Sequence, residues 1–449
     1  MTAVGRAWRR VTLPGKVVLV LAALAVVASS LLAAAAVVLG PPIVAFLEAN
    51  LPLVRFVVAA TAVLLLTVPT AFLIIYMEMK VIALMNLRIG PDRVGPFGTA
   101  LSVVHGLKVL AKEDFTPTGA DPVVFTMAPV VVFMATVMSL LVIPFAPGLF
   151  GQDFNIALLY FFAVGGFTVV GLLMGGWASF NKYSLLGGLR SAAQIVSYEI
   201  PLVLSAAGVV MLAGTMSLNG IVERQAGSIL DWYVWQQPLA FLVFFIAATA
   251  EANRTPFDLT EADSEIVAGF ATEYSGMRFG FFFFAEYVNV FVVSALTTTL
   301  FFGGWNAPFD WPWPVTLALD PGSLGILLLV GLAVVPVVGT LVFAAPFWLA
   351  RSDWPTWQAL LAGFVVFNLV AVAAVLGWAF VSFDWVVGLA WFMAKTYLFV
   401  FVFVWLRATL PRVRIDQLMD FAWKWLMELA FLNMFVTAGS LLVVDQLRG

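Results

Sequence analysis

Residues 251–269, EANRTPFDLTEADSEIVAG, carry five carboxylates (Glu251, Asp258, Glu261, Asp263 and Glu265) and one arginine, Arg254. Carboxylates packed this densely can hold and pass protons. Thr260-Glu261-Ala262-Asp263 sets an acid three residues after a threonine, a capping-box-like start that predicts a short helix over about 261–268. Glu261 and Glu265 would share one face of it, and like charges so placed repel. Apolar neighbours add to the cost of ionising both, so proton affinity should rise. A solvated acidic loop is the other reading of these residues.

Three more ionisable residues sit inside apolar runs: Glu199, Glu286 and Lys395. Within a membrane such residues are costly and normally face a protein interior or a wet cavity. With Glu251 they suggest a polar track leading away from the acidic loop. The second unusual segment is YMEMKVIALMNLRIGPDRVGPFG, residues 76–98, which holds Glu78. Gly90-Pro91, Gly95-Pro96 and Gly98 call for tight turns, and Arg88 and Arg93 stand on that stiff loop. Those arginines could equally serve only to keep the loop on one side of a membrane.

The elements that must position these groups are membrane helices. The chain is 63% hydrophobic and 10% charged, with a mean hydropathy of +1.05. Apolar runs recur that are long enough to cross a hydrocarbon core of roughly 30 Å. They predict an all-α, polytopic transmembrane bundle of about eleven spans, near 17–39, 53–77, 122–144, 155–177, 190–213, 237–252, 277–302, 323–349, 357–381, 386–407 and 423–444. Residues 98–112, amphipathic and too short to span, are expected on the membrane surface. A cleaved signal peptide is the competing reading of 17–39, but that run is longer than a typical signal core. A net charge of −3 points to no nucleic-acid partner. The absence of cysteine excludes a cysteine-held iron–sulfur cluster in this chain, and the single histidine, His105, excludes a site built from several histidines.

Basic residues orient the spans. If 1–16, 78–121, 178–190, 252–278, 350–356 and 407–417 face the cytoplasm, they hold 17 basic residues. The other side holds three: Arg55, Arg224 and Arg448. The acidic stretch and the N-terminus are thus expected in the cytoplasm and the C-terminus outside.

Seven ordered motifs then carry a resemblance: LRIGPDRVGPFG (87–98), KEDFTP (112–117), GWASFNKYSLLGGLRSAAQIVSYE (176–199), EANRTPFDLTEADSEIVAGFATEYSGMRFG (251–280), FFAEY (283–287), TTTLFFGGW (297–305) and WLRATLPRVRIDQLM (405–419). Over about 53–310 and 385–445 the chain resembles the quinone-site membrane subunit of respiratory complex I, the H-type subunit of NADH-quinone oxidoreductase, whose mitochondrial member is ND-one. The YMEMKV variant is similar to actinobacterial members.

The resemblance implies a protein at the junction of the peripheral and membrane arms. It would build much of a quinone chamber and begin the charge path that couples quinone reduction to proton pumping. Carried over by motif, Glu78, Glu199, Glu251, Asp258, Glu261, Glu265, Glu273 and Glu286 would belong to the chamber and its proton path, with Arg190, Arg254 and Arg407 as basic partners; Arg88, His105, Lys108, Asp263, Arg278 and Lys395 complete the candidates. Phe-rich stretches, Phe281 to Phe284 among them, would wall the chamber. Quinone, either ubiquinone or menaquinone, would be the substrate. FMN and iron–sulfur clusters would reside in partner subunits, so this chain alone should have no oxidoreductase activity. Cluster-bearing peripheral subunits, small membrane subunits, antiporter-like subunits and lipid are the implied partners. The location implied is a bacterial plasma membrane.

The chain also departs from the family pattern. Many relatives have Glu-Arg-Lys at Glu78-Met79-Lys80, which leaves one basic partner of Glu78 in doubt. Asn86 stands for a usual glutamine. His105, ahead of Lys108, stands where relatives place an aspartate, and an imidazole there could carry a proton near neutral pH. On this reading residues 1–52 add an N-terminal span, 53–310 hold six spans of an eight-span core, 311–384 insert a pair, and 385–449 hold the last two. Competing readings are the equivalent subunit of a membrane-bound hydrogenase or another donor-linked relative, a stand-alone proton or ion transporter, and a passive membrane anchor.

Overall fold

A computed structural model describes residues 51–258, 268–309 and 384–448. The expected helix at 261–268 and the spans at 17–39, 323–349 and 357–381 lie outside the described residues in whole or nearly so. The chain divides into two compact units, Met1–Val54 with Pro312–Val387, and Arg55–Trp311 with Gly388–Gly449. Only the starts of two helices are described in the first unit.

The second unit is helical, and among the described residues the only extended pairing is the single bridge Ala146–Leu149. In chain order the helices are α1 (Leu51–Met85), α2 (Leu101–Leu110), α3 (Pro122–Leu140), α4 (Ala157–Ala178), α5 (Lys182–Ala213), α6 (Leu218–Arg224), α7 (Pro238–Glu251), α8 (Gly276–Phe301), α9 (Asp384–Thr409), α10 (Ile415–Phe421) and α11 (Met427–Arg448). A π-helical turn, Ala422–Leu426, joins the last two into one rod. Seven of these helices, that rod counted once, are long and apolar enough to cross a membrane. The chain is therefore a multi-pass membrane protein.

Local chemistry accounts for the helix ends. The Asp121 side chain accepts from the Val123 and Val124 amides ahead of α3, with Pro122 at the first position. Asn181 caps α5, and Gly214 ends it in the left-handed region at φ 63°. Buried hydroxyls inside the spans, Thr67, Ser139, Ser191, Ser294, Thr297 and Thr298 among them, donate to carbonyls four residues back. No helix thus has to leave those hydroxyls unpaired in an apolar interior. Glycine lets the rods close up: a Cβ on Gly176 would meet the Ser184 carbonyl at 2.8 Å and Gly188 Cα at 3.2 Å.

The connections gather at two ends. At one, Asp121 N–H donates to the Ala178 carbonyl, Ser184 Oγ to the Phe270 carbonyl, Ser275 Oγ to the Glu113 carbonyl and Val413 N–H to the Pro256 carbonyl. These are the connections that the basic residues assigned to a common side. At the other, Leu158 N–H donates to the Met216 carbonyl and Gln225 bridges Thr299, Tyr233 and Gly303.

One element differs in a way that matters. Helix α7 has 14 residues, which rise only about 21 Å against a hydrocarbon core of about 30 Å. Its C-terminal residue, Glu251, therefore ends inside the bundle, and the chain that follows is drawn in behind it.

Candidate functional site

The site begins with that indrawn segment. Gln194 on α5 holds it: its Nε2 donates to the carbonyls of Ala250 and Phe257 and to Asn253 Oδ1. Arg254 is 3% exposed and Asp258 2%, so this part of the acidic stretch is not a solvated loop.

Arg254 is the hub. Its Nη1 donates to Glu78 Oε2 at 3.2 Å, and its Nη2 lies 3.5 Å from Glu286 Oε1. The guanidinium sits 4.4 Å from the centre of the Tyr287 ring. Glu78, at the far end of α1, also accepts from Arg407 Nη1 at 2.6 Å. The order Arg407–Glu78–Arg254–Glu286 alternates in sign and joins four elements. Burial works against the Arg254 charge, but Glu286 and Glu78 outweigh it and hold its pKa above the ordinary arginine value. The arginine missing after Glu78 in the sequence is thus made good by two arginines from elsewhere in the chain. Asp258 pairs with Arg412 at 3.2 Å.

From Glu286 the polar track continues inward. A pocket of about 40 Å³ is lined by Glu251, Asn253, Glu286, Asn289, Thr136 and Thr168, among others. One of about 10 Å³, also lined by Glu251, Thr168 and Asn289, adds Ser139 and Gly165. A water needs at least about 10–15 Å³ and two or more polar partners, so the larger pocket has room for a few waters. Glu251 Oε2 is buried with no protein hydrogen bond among the described residues. A Cβ on Gly165 would stand 3.8 Å from Glu251 Oε1, and one on Gly166 3.9 Å from Glu199 Oε1. Two adjacent glycines therefore seat two carboxylates side by side.

Of the sequence-predicted residues, the structure brings together Glu78, Arg254, Arg407, Glu286, Glu251 and Glu199, with Asp258 beside them. It does not bring Lys395 there. Lys395 Nζ donates to the carbonyls of Phe302, Gly304 and Asn306 at 2.8, 3.0 and 2.5 Å, beneath the Trp232 ring, at the opposite end of the bundle. Helix capping chemistry in the turn after α8 decides that placement. Glu273 accepts from Asn181 Nδ2, and Arg278 pairs with Asp114 and donates to Thr116, so both tie connecting segments together. Arg88, His105 and Lys108 are exposed on the loop after α1 and on α2. Arg190 lies half-buried on α5, nine residues before Glu199. Glu261, Asp263 and Glu265 lie outside the described residues.

The four phenylalanines 281–284 do not form one wall. Consecutive helical residues are about 100° apart around the axis, and here Phe281 packs on Phe133, Phe282 on Tyr274, and Phe284 on Phe72. Sequence reasoning missed Gln194, Tyr287, Asn289 and Arg412. All but Asn289 stand in the quoted motifs, which is the only signal that could have found them.

The sequence model of the NADH dehydrogenase family matches residues 57–438. The chain belongs to this family. The H-type subunit of NADH-quinone oxidoreductase from Geobacillus kaustophilus is 44% identical over 378 residues, covering 84% of this chain and 91% of the relative. The proteins of the same name from Brevibacillus brevis and Dehalococcoides mccartyi are 42% and 40% identical, covering 85% and 84% of this chain and 92% and 85% of their own. The chain is accordingly an H-type membrane subunit of complex I, and the hydrogenase, free-transporter and anchor readings are not favoured.

Proposed function

We propose that this chain forms the membrane side of the quinone chamber in a proton-pumping NADH-quinone oxidoreductase, and that Arg407–Glu78–Arg254–Glu286 with the Glu251–Glu199 pair starts its proton and charge path. The observation that carries this reading is continuity. Alternating charges run from the connecting segments to a water-sized pocket within the bundle, and on to two neighbouring carboxylates. The other chamber and path candidates, the acids of 261–265 included and Lys395 excepted, belong to the same proposal.

Quinone takes two electrons and two protons to become the quinol. Electrons come from NADH through FMN and iron–sulfur clusters held by partner subunits, because this chain has no cysteine to hold a cluster. The isolated chain is inactive in this scheme. Reduced quinone draws protons from the acids nearest it, and Arg254 answers the change in negative charge by shifting its pairing between Glu78 and Glu286. The pocket waters then connect Glu286 to Glu251, and the carboxylates exchange protons as a coupled group. The 40 Å³ pocket is too small for a quinone head, as ligand pockets run to hundreds of Å³. The chamber therefore lies against the loop after α1 and α2, roofed by a peripheral subunit. Leu87, Ile89 and Phe97 are strongly exposed there. The complex sits in a bacterial plasma membrane, with the N-terminus cytoplasmic and the C-terminus outside.

The test uses the assembled complex in vesicles. Glu251→Gln with Glu286→Gln should lower proton pumping per NADH oxidised, read with a pH-sensitive dye, while the subunits remain assembled. Wild-type pumping and quinone reduction in that double variant would overturn the proposal.

A further inference from the structure

The rod formed by α10, the π turn and α11 carries charge on the wrong side. Asp420 and Lys424 pair at 2.7 Å, each side chain 65% exposed, and Glu428 is exposed one turn further on. None of the three faces the bundle. On an α-helix residues four apart drift about 40° around the axis. The wider π turn, in which the Met427 N–H reaches back to the Ala422 carbonyl, reduces that drift. Asp420, Lys424 and Glu428 thus form one stripe, which Leu432 and Val436, 53% and 62% exposed, continue.

The depth of the stripe follows from its neighbour. Trp423 Nε1 donates to Ser197 Oγ, and Asn433 Nδ2 stands 2.8 Å from where a Cβ on Gly208 would be. The rod and α5 therefore run parallel, and Glu428 is level with Leu202 and Val203, the middle of the apolar part of α5. Lys424 is level with Glu199. A lysine near a membrane surface can reach the headgroups, but a glutamate side chain is too short to do so from mid-span. A carboxylate facing hydrocarbon at that depth is costly, and among the described residues none pairs with Glu428.

We propose that this stripe is a docking surface for a transmembrane helix of another subunit of the complex, one presenting a lysine or arginine opposite Glu428. Charge decides the occupant. The Asp420–Lys424 pair is balanced, so Glu428 is the one carboxyl group of the stripe without a pairing partner among the described residues. Lipid tails offer nothing to it. The chain's own further apolar runs, 17–39, 323–349 and 357–381, contain no lysine or arginine. A second copy would set Glu428 against the same unmatched stripe. The inference rests on the chain being one subunit among several. It does not depend on the quinone chamber.

The experiment uses the whole complex. A benzophenone amino acid replaces Leu432, the purified complex is irradiated, and the adduct is identified by mass spectrometry. The expected adduct joins residue 432 to a transmembrane helix of a different subunit of the same complex. In parallel, Glu428→Leu should lower the amount of complete complex severalfold relative to the membrane-inserted chain, whereas Glu428→Gln, which keeps hydrogen-bonding capacity, should lower it less. Adducts only to lipid, to this chain or to a second copy overturn the proposal. So does Glu428→Leu assembling at the wild-type level, the result expected of a face that meets lipid. Should Glu428→Leu fail to insert, the wild-type adduct at residue 432 decides alone. Quinone reductase turnover of the purified complex, measured alongside, reports on the chamber separately.

Discussion

Replacing Arg254 by methionine removes the hub of the buried ion chain and keeps much of its volume. Breaking a buried ion pair by deleting one partner costs about 3–5 kcal/mol, because the other charge is left uncompensated. Two features place this case at the low end. Glu78 keeps Arg407 at 2.6 Å, and Glu286 is 22% exposed and 3.5 Å from Arg254. The expected loss is about 3 kcal/mol, roughly a hundredfold in the folded-to-unfolded ratio at about 1.4 kcal/mol per tenfold. The chain in mixed micelles is titrated with dodecyl sulfate and followed by the fluorescence of its 16 tryptophans. Arg254→Met combined with Glu286→Gln should recover part of the loss, since the Glu286 carboxylate that faced Arg254 becomes neutral. A single variant within about 0.5 kcal/mol of wild type, the range of ordinary surface changes, would refute the reasoning. So would a double variant no more stable than the single one.

Gly165→Ala should be nearly silent, because its Cβ would meet Glu251 Oε1 at an ordinary 3.8 Å, while Gly165→Leu should push into the carboxylate and lower proton pumping in vesicles. Gly187→Ala should destabilise by at least about 1–3 kcal/mol in the same dodecyl sulfate titration, because its Cβ would stand 2.5 Å from Gly269 Cα, which is backbone and cannot yield. Lys395→Met leaves three carbonyls without their ammonium, each charged hydrogen bond contributing about 1.5–3 kcal/mol. It should reduce the yield of assembled complex in native gels while leaving quinone reductase turnover per assembled complex unchanged, because Lys395 lies at the end away from Arg254.

Much of this is legible in the order of residues alone. The helix boundaries follow from apolar run length and from capping residues such as Asp121 and Asn181, which act within a few residues of themselves. The short helix α2 is readable for the same reason. The ion chain is legible only as a set of members. Glu78, Arg254, Glu286 and Arg407 each stand out as a charge beside apolar sequence, yet which pairs with which depends on helix rotation. The run Phe281–Phe284 shows the same limit, because a run of one residue type says nothing about which face each member takes. Glu428 passed unnoticed because a single acid in a long apolar run reads the same whether it faces the bundle or the lipid.

The sequence by itself determined the class of molecule, which of its connections share an end, and which ionisable residues stand beside or within apolar runs. These follow from transfer energetics and local capping, which depend on composition over a few turns. Only the tertiary structure decided that Glu78 meets Arg254, 176 residues away, and Arg407, 329 residues away. It alone sent Lys395 to the far end and left Asp420, Lys424 and Glu428 facing outward. Such choices rest on the crossing and rotation of whole helices, fixed by where glycines allow backbones to touch and by where α7 stops short. No local window of residues contains that information.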